Sequence, residues 1–206
     1  MKVVPLTQDA LVAELVGRID ALPRDRHARV VVDGADATDP GALADALVDP
    51  LRALGRPVLR VSARDFLRPA SVRLEHGRTD PDSYRDSWVD TGGLLREVLD
   101  PLEPGGSGEV LPSLWNAETD RASRAGYARL GEGGVLLLDG ALLLDKWLPF
   151  ELSVHLWLSD AALARRTPPE LAWTLPAYEG YEPEPDVLVR YDHPTRPALV
   201  RTVAGD

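Results

Sequence analysis

Cysteine is absent from the 206 residues, which excludes disulfides and thiolate metal sites. Lysine is almost absent as well: Lys2 and Lys146 are the only two, so arginine carries nearly all of the positive charge. That charge is itself in deficit, with 23 Lys and Arg against 33 Asp and Glu and a formal net charge of −10. A nucleic-acid surface needs clustered cations, so no nucleic-acid partner is expected. Long apolar runs are missing too. The greasiest stretch, residues 135–144, is broken by Asp139-Gly140 and is too short to cross a bilayer. No secretory-type apolar core stands at the N-terminus. The expectation is a cytoplasmic protein without a membrane partner, with a homo-oligomer left open. A content of 44% hydrophobic residues suffices for one sizeable core, so residues 1–206 are read as a single domain.

What is present is an alternation of helix-like and strand-like segments. Apolar residues at helical spacing mark residues 8–22, where Leu11, Leu15, Ile19 and Leu22 share a face and Thr7 is the cap. They recur at 40–54 (Leu43, Leu47, Leu51, Leu54), with Gly55 as the stop. Short runs rich in Val and Leu at 29–33, 57–62, 134–139, 152–158 and 186–191 read as five strands. Such alternation predicts an α/β fold of three layers, a five-stranded and mainly parallel sheet between helices. Residues 1–28 are then an N-terminal helical segment, 64–90 a long polar connection, 91–102 a helix, 109–114 an edge strand, and 159–185 an irregular, lid-like excursion.

Between the first of the five strands and the helix at 40–54 lies Asp33-Gly34-Ala35-Asp36-Ala37-Thr38-Asp39-Pro40-Gly41, the place of a phosphate-binding loop. A working loop reads G-x-x-x-x-G-K-[ST]: backbone N–H groups cradle phosphate, the lysine reaches the outer phosphates, and the hydroxyl holds Mg²⁺. Only Gly34 matches. Asp39 stands for the second glycine, Pro40 for the lysine and Gly41 for the hydroxyl residue. Asp39-Pro40 is instead a good helix start, a carboxylate cap followed by proline at the first helical position. That carboxylate would take the electropositive helix end that a phosphate needs. Thr38 offers a hydroxyl, at a spacing wrong for the usual metal role.

Four further groups have residues suited to chemistry. Asp139 ends an apolar strand, where an acid can order Mg²⁺ or its water. Asp65 follows the strand at 57–62 and would face the crevice at the carboxyl edge of a parallel sheet, placed to take a proton from a hydroxyl. The connection from Arg73 to Trp88 mixes arginines, His76 and aromatics, a set suited to a polar small molecule or to a solvated loop. Arg165-Arg166 could close over phosphates or be a charged helix end. None of the four histidines has partners at metal-ligand or triad spacing.

In this order, the pieces resemble the uridine kinase-like branch of the P-loop kinases, which is related to phosphoribulokinase and bacterial pantothenate kinase. The matching residues lie between Arg29 and Arg201. They are Val31-Val32-Asp33-Gly34, Asp65-Phe66 with Arg68-Pro69, then Arg73, Gly77, Asp80-Pro81, Tyr84 and Asp86-Ser87, followed by Asp139-Gly140, Arg165-Arg166, Asp186-Val187 and Asp192-His193-Pro194. The resemblance implies transfer of the terminal phosphate of ATP to a hydroxyl. It makes Asp65 the general base and Asp139 the metal-side acid. Gly34, Thr38 and Gly41 fall in the donor loop, with Arg165 and Arg166 closing on it. Phe66, Arg68, Arg73, His76, Arg78, Tyr84 and Asp86 fall on the acceptor side. The departures are the missing lysine, hydroxyl and inner glycine, and Arg64 where the family often has another acid.

The expected function is therefore kinase-like with a degenerate donor loop: binding of a nucleoside-like or other small hydroxyl-bearing ligand, with ATP phosphotransfer weakened or lost. The competing expectation is an active ATP-dependent nucleoside or small-molecule kinase that uses Asp65 as base and lid arginines in place of the lysine. Mg²⁺ and ATP are cofactors only in that second case; otherwise none is expected. A third class, a regulatory partner acting through its surface, would use the acidic charge and the Tyr178-Glu179-Gly180-Tyr181 excursion.

Overall fold

Strands apolar on both faces are stable only between two covering layers. In the computed structural model, which describes residues 2–193 and 195–201, they lie that way. Pro194, the end of one matching segment, falls outside the described residues. The main sheet contains β1 (Lys2–Pro5), β2 (Ala28–Gly34), β3 (Val58–Ser62), β4 (Val135–Gly140), β5 (Leu152–Trp157), β6 (Val187–Arg190) and β7 (Ala198–Arg201). Their spatial order is β1-β7-β6-β5-β2-β4-β3. The five strands expected from the sequence, β6-β5-β2-β4-β3, are all parallel neighbours. The expected strand number is corrected to seven, because β7 pairs antiparallel with β6 and β1 pairs antiparallel with β7. A second correction concerns 109–114: Glu109–Val110 pairs with Ala128–Arg129 in a separate ribbon, not with the main sheet.

Period-2 alternation sends Val30 and Val32 of β2 to one face and Val31 to the other, and each face has its own core. On the first lie α1 (Gln8–Asp20), capped by Thr7 through Ala10 N at 3.2 Å, and α2 (Pro40–Ala53). On the second lie Phe66, Leu94, Val98, Leu99 and Leu102. The last four come from α5 (Thr91–Leu94) and the π and 3₁₀ turns that continue it to Leu102. The polar connection is not bare loop. It holds α3 (Ala70–Arg73) and α4 (Pro81–Asp86), the latter capped by Asp80 through Ser83 N at 2.6 Å. α6 (Asp160–Arg166) leads into the excursion, whose 3₁₀ segment Pro169–Tyr178 packs on α4.

The chain leaves β2 for β3 on one side and later takes β5 on the other, so the connections part at β2. In a parallel sheet this opens a crevice beyond the carboxyl ends of the strands. Asp33, near that end of β2, is fully buried and ties the crevice floor together. Its Oδ1 accepts from Leu143 N at 2.8 Å; its Oδ2 lies 2.6 Å from His155 Nδ1 and accepts from the Tyr181 hydroxyl at 3.0 Å. Tyr181 also accepts from Leu144 N at 3.0 Å, so one hydroxyl pins the excursion to both β2 and the loop after β4. Deleting it leaves a buried carboxylate oxygen and a backbone N–H short of partners. Tyr181→Phe is expected to lose roughly 1–3 kcal/mol of unfolding free energy by urea titration; an unchanged midpoint would show that the excursion is not held this way.

Candidate functional site

The loop after β2 bonds several of its backbone donors within the protein. Residues Asp36–Thr38 form one 3₁₀ turn, in which Thr38 N donates to Ala35 O at 2.7 Å and Asp39 N to Asp36 O at 3.0 Å. Thr38 is buried, and its hydroxyl donates to Ala35 O at 2.7 Å. The hydroxyl packs beneath the loop, where a Cβ on Gly34 would stand 2.5 Å from it. Asp39 adopts a left-handed backbone (φ 54°), the conformation a glycine would favour there, and its Oδ1 accepts from Ala42 N at 3.1 Å. Pro40 has no N–H to give. The self-capped helix start read from the sequence is present in full.

A cation already stands in front of this helix end. Arg60 of β3 reaches Asp139 of β4, with Nη2 3.0 Å from Oδ1, and Nε is 2.6 Å from Asp45 Oδ1 on α2. The register of the parallel pair explains the reach: Arg60 is level with Leu137 and Ser62 with Asp139, so both side chains converge on one carboxylate. Ser62 Oγ donates to Asp139 Oδ2 at 3.1 Å. Arg60 is joined to its acids by charge and not by aligned hydrogen bonds. Its Nη2 would lie 2.7 Å from a Cβ on Gly41, so the guanidinium fills the space a hydroxyl side chain at that position would enter. Burial pushes the Asp139 carboxyl up, while Arg60 and Ser62 pull it back. Mg·ATP does not fit these residues as they stand: the threonine faces inward, the acid is taken, and no lysine is present.

The same cleft continues to the other side as a cavity of about 880 Å³. Asp65, on the 3₁₀ turn Ala63–Phe66 after β3, lines it with Asp139 and Gly41. Asp65 Oδ1 accepts from Ser113 Oγ at 3.3 Å, and burial pushes its carboxyl up more than Ser113 and Arg60 lower it. The far wall is aromatic. Trp88 and Trp173 flank Tyr84 at 5.3 and 5.7 Å between ring centroids, and the Tyr84 hydroxyl meets that of Tyr178 at 3.1 Å. Burial, with the Asp36 carboxylate nearby, pushes the Tyr84 phenol up to about 12, so it stays protonated. A hairpin of Trp115–Asn116 and Arg121–Ala122 completes the rim with Trp115 and Glu118.

No family model and no curated protein matches the sequence. Solved structures do. A possible uridine kinase from Bacillus stearothermophilus superposes with a TM-score of 0.66 at 20% identity, covering 86% of this chain and 96% of that one. A candidate fructose transport system kinase from Silicibacter sp. TM1040 gives 0.67 at 22% identity, covering 89% and 98%. This is a P-loop kinase-like fold. Within it the crevice beyond β2, β3 and β4 is the candidate site.

Of the residues singled out in the sequence, Gly41, Asp65, Tyr84 and Asp139 line this kinase-fold cleft. Gly34 lies beneath the loop against Leu156. Phe66 does not reach the cleft; it is fully buried in the second core. Arg73 is buried with its guanidinium over the Trp88 ring at 5.1 Å and Nε on Arg68 O at 2.6 Å, so it braces the aromatic wall from behind. Arg68 offers that carbonyl and does not line the cavity, and His76, Arg78 and Asp86 are exposed outside it. Arg165 and Arg166 are away from it too: Arg165 is exposed, and Arg166 donates to Tyr191 O at 2.7 Å. The sequence reading missed Arg60, Trp115, Glu118 and Trp173. Tryptophan was the available signal, since three of the chain's five line one cleft.

A half-buried carboxylate with one hydroxyl partner is costly to keep ionised. Because the folded-state pKa of Asp65 is raised, its ionisation penalises folding at neutral pH, and the penalty fades as pH falls through that value. Asp65→Asn is therefore expected to raise Tm at neutral pH and to lose this advantage on acidification. An equal or lower Tm at pH 7 would count against the assignment.

Proposed function

We propose that this protein uses the acceptor half of a kinase fold to bind a nucleoside-like or other small hydroxyl-bearing molecule, with the donor half closed to Mg·ATP. One observation carries the reading: the Arg60 guanidinium sits between Asp139, Asp45 and Gly41, where the donor phosphates and metal of a P-loop kinase would need room. The loop supports it, since its amides at 38, 39 and 42 are already bonded within the protein. A missing charged phosphate contact costs on the order of 10²–10³ in rate, and two added carboxylates, Asp36 and Asp39, deepen the loss. The same reading takes the protein as cytoplasmic with a small molecule as partner.

A second reading has one observation in its favour: Asp65, Asp139, Arg60 and Arg64 share one cleft, so the missing lysine has guanidinium substitutes. These are not the lid arginines expected from the sequence. Phosphoryl transfer is mostly positioning and electrostatics, which makes such rewiring physically sound. Calorimetry separates the two. The closed-loop reading expects no heat with Mg·ATP, alongside thermal stabilisation by at least one member of a nucleoside panel. Saturable Mg·ATP binding, with turnover that Asp65→Asn abolishes, would establish the second reading instead.

A further inference from the structure

Charges of both signs line the cleft, but they are not equally available. Arg60 is held by Asp45 and Asp139, and Arg64 by Asp36 at 2.9 Å. Arg85 is held by Asp145 at 3.2 Å and by the carbonyls of Ala177 and Glu179. Every guanidinium on the wall thus has a protein partner. Three carboxylates on the same wall have no cation at ion-pair distance among the described residues: Asp39, Asp65 and Glu118. An entering anion would find the charge of each guanidinium already offset by a carboxylate, while meeting three carboxylates that have no cation at ion-pair distance. An entering cation would gain them without breaking anything.

The rest of the wall agrees. Trp88, Trp115, Trp173 and Tyr84 line the cavity, and aromatic rings attract cations. Resting on the acceptor-half reading above, we propose that the cleft recognises a small organic cation. This is a protonated amine, or a comparable nitrogen cation, on a flat body. The cleft discriminates against phosphate- and carboxylate-bearing relatives of that ligand.

Charge can be varied on one ring scaffold to test this. Phenethylamine, 2-phenylethanol and 3-phenylpropionate carry +1, 0 and −1 at neutral pH, and tryptophan emission reports their entry. The amine is expected to bind about tenfold tighter than the alcohol, in line with an ion pair or cation–π contact in a partly dry site, and the carboxylate weakest. Asp65→Asn and Glu118→Gln should each reduce the amine's advantage severalfold, whereas Glu132→Gln, outside the cleft, should not. Binding of the carboxylate as tight as the amine overturns the proposal, as does an amine preference that survives both cleft variants, or the absence of any response to all three compounds. Mg·ATP calorimetry on the same protein keeps the two inferences apart: ATP binding would defeat the closed donor loop and leave the charge preference to stand or fall alone.

Discussion

The contact between Arg60 and Asp139 governs this site. Asp139 is 4% exposed at the carboxyl end of a central strand, and a carboxylate so placed needs a cation. A metal can supply it from outside, or a side chain from within. Here the parallel register of β3 and β4 puts a guanidinium on the neighbouring strand two residues before the serine that also binds the acid. Removing one partner from such a buried pair costs about 3–5 kcal/mol. A divalent ion must displace a tethered competitor that is present at all times. Asp45 holds the other edge of the guanidinium, so the arginine bridges β4 to α2 and fixes the helix end against the sheet.

Three backbone donors of the loop are consistent with that arrangement. A helix N-terminus offers unpaired N–H groups and about half a positive charge to an anion. The N–H groups of Thr38 and Asp39 close a 3₁₀ turn, that of Ala42 is capped by Asp39, and residue 40 has none. Asp39 holds a left-handed backbone without being a glycine, because aspartate tolerates that region. Its hydrogen bonds are those of an ordinary capped helix.

The five parallel strands were legible because burial on both faces demands unbroken Val and Leu runs, and nothing else in a chain this polar looks like that. β1 and β7 were not, since these four-residue strands at one side of the sheet carry half-exposed, mixed side chains. The helix start at Asp39-Pro40 was legible because capping is local chemistry. Arg60 was not. On its own strand it is one arginine among valines, and only the register with β4 gives it a carboxylate. The aromatic wall failed for the same reason, being assembled from α4 and its end, the 115–122 hairpin and the excursion, which lie far apart in sequence. Phe66 misled because an aromatic beside a candidate base suggests a substrate contact, whereas the 3₁₀ turn points it into the core.

The two halves of the cleft differ in how completely the protein satisfies them. In the donor half the threonine hydroxyl and the amides of residues 38, 39 and 42 have hydrogen-bond partners, and the strand acid and the arginine meet by charge without an aligned hydrogen bond. In the acceptor half a half-buried Asp65 keeps only a 3.3 Å contact to Ser113, and neither it nor Glu118 has a cation at ion-pair distance among the described residues. Folding alone gives no reason for such groups to converge on one cavity, since each would be more stable paired or replaced by an apolar residue. A site that has closed should look self-satisfied, and one that still receives a ligand should look incomplete. That contrast is what supports the proposed reading of a closed phosphate end and a receptive acceptor end.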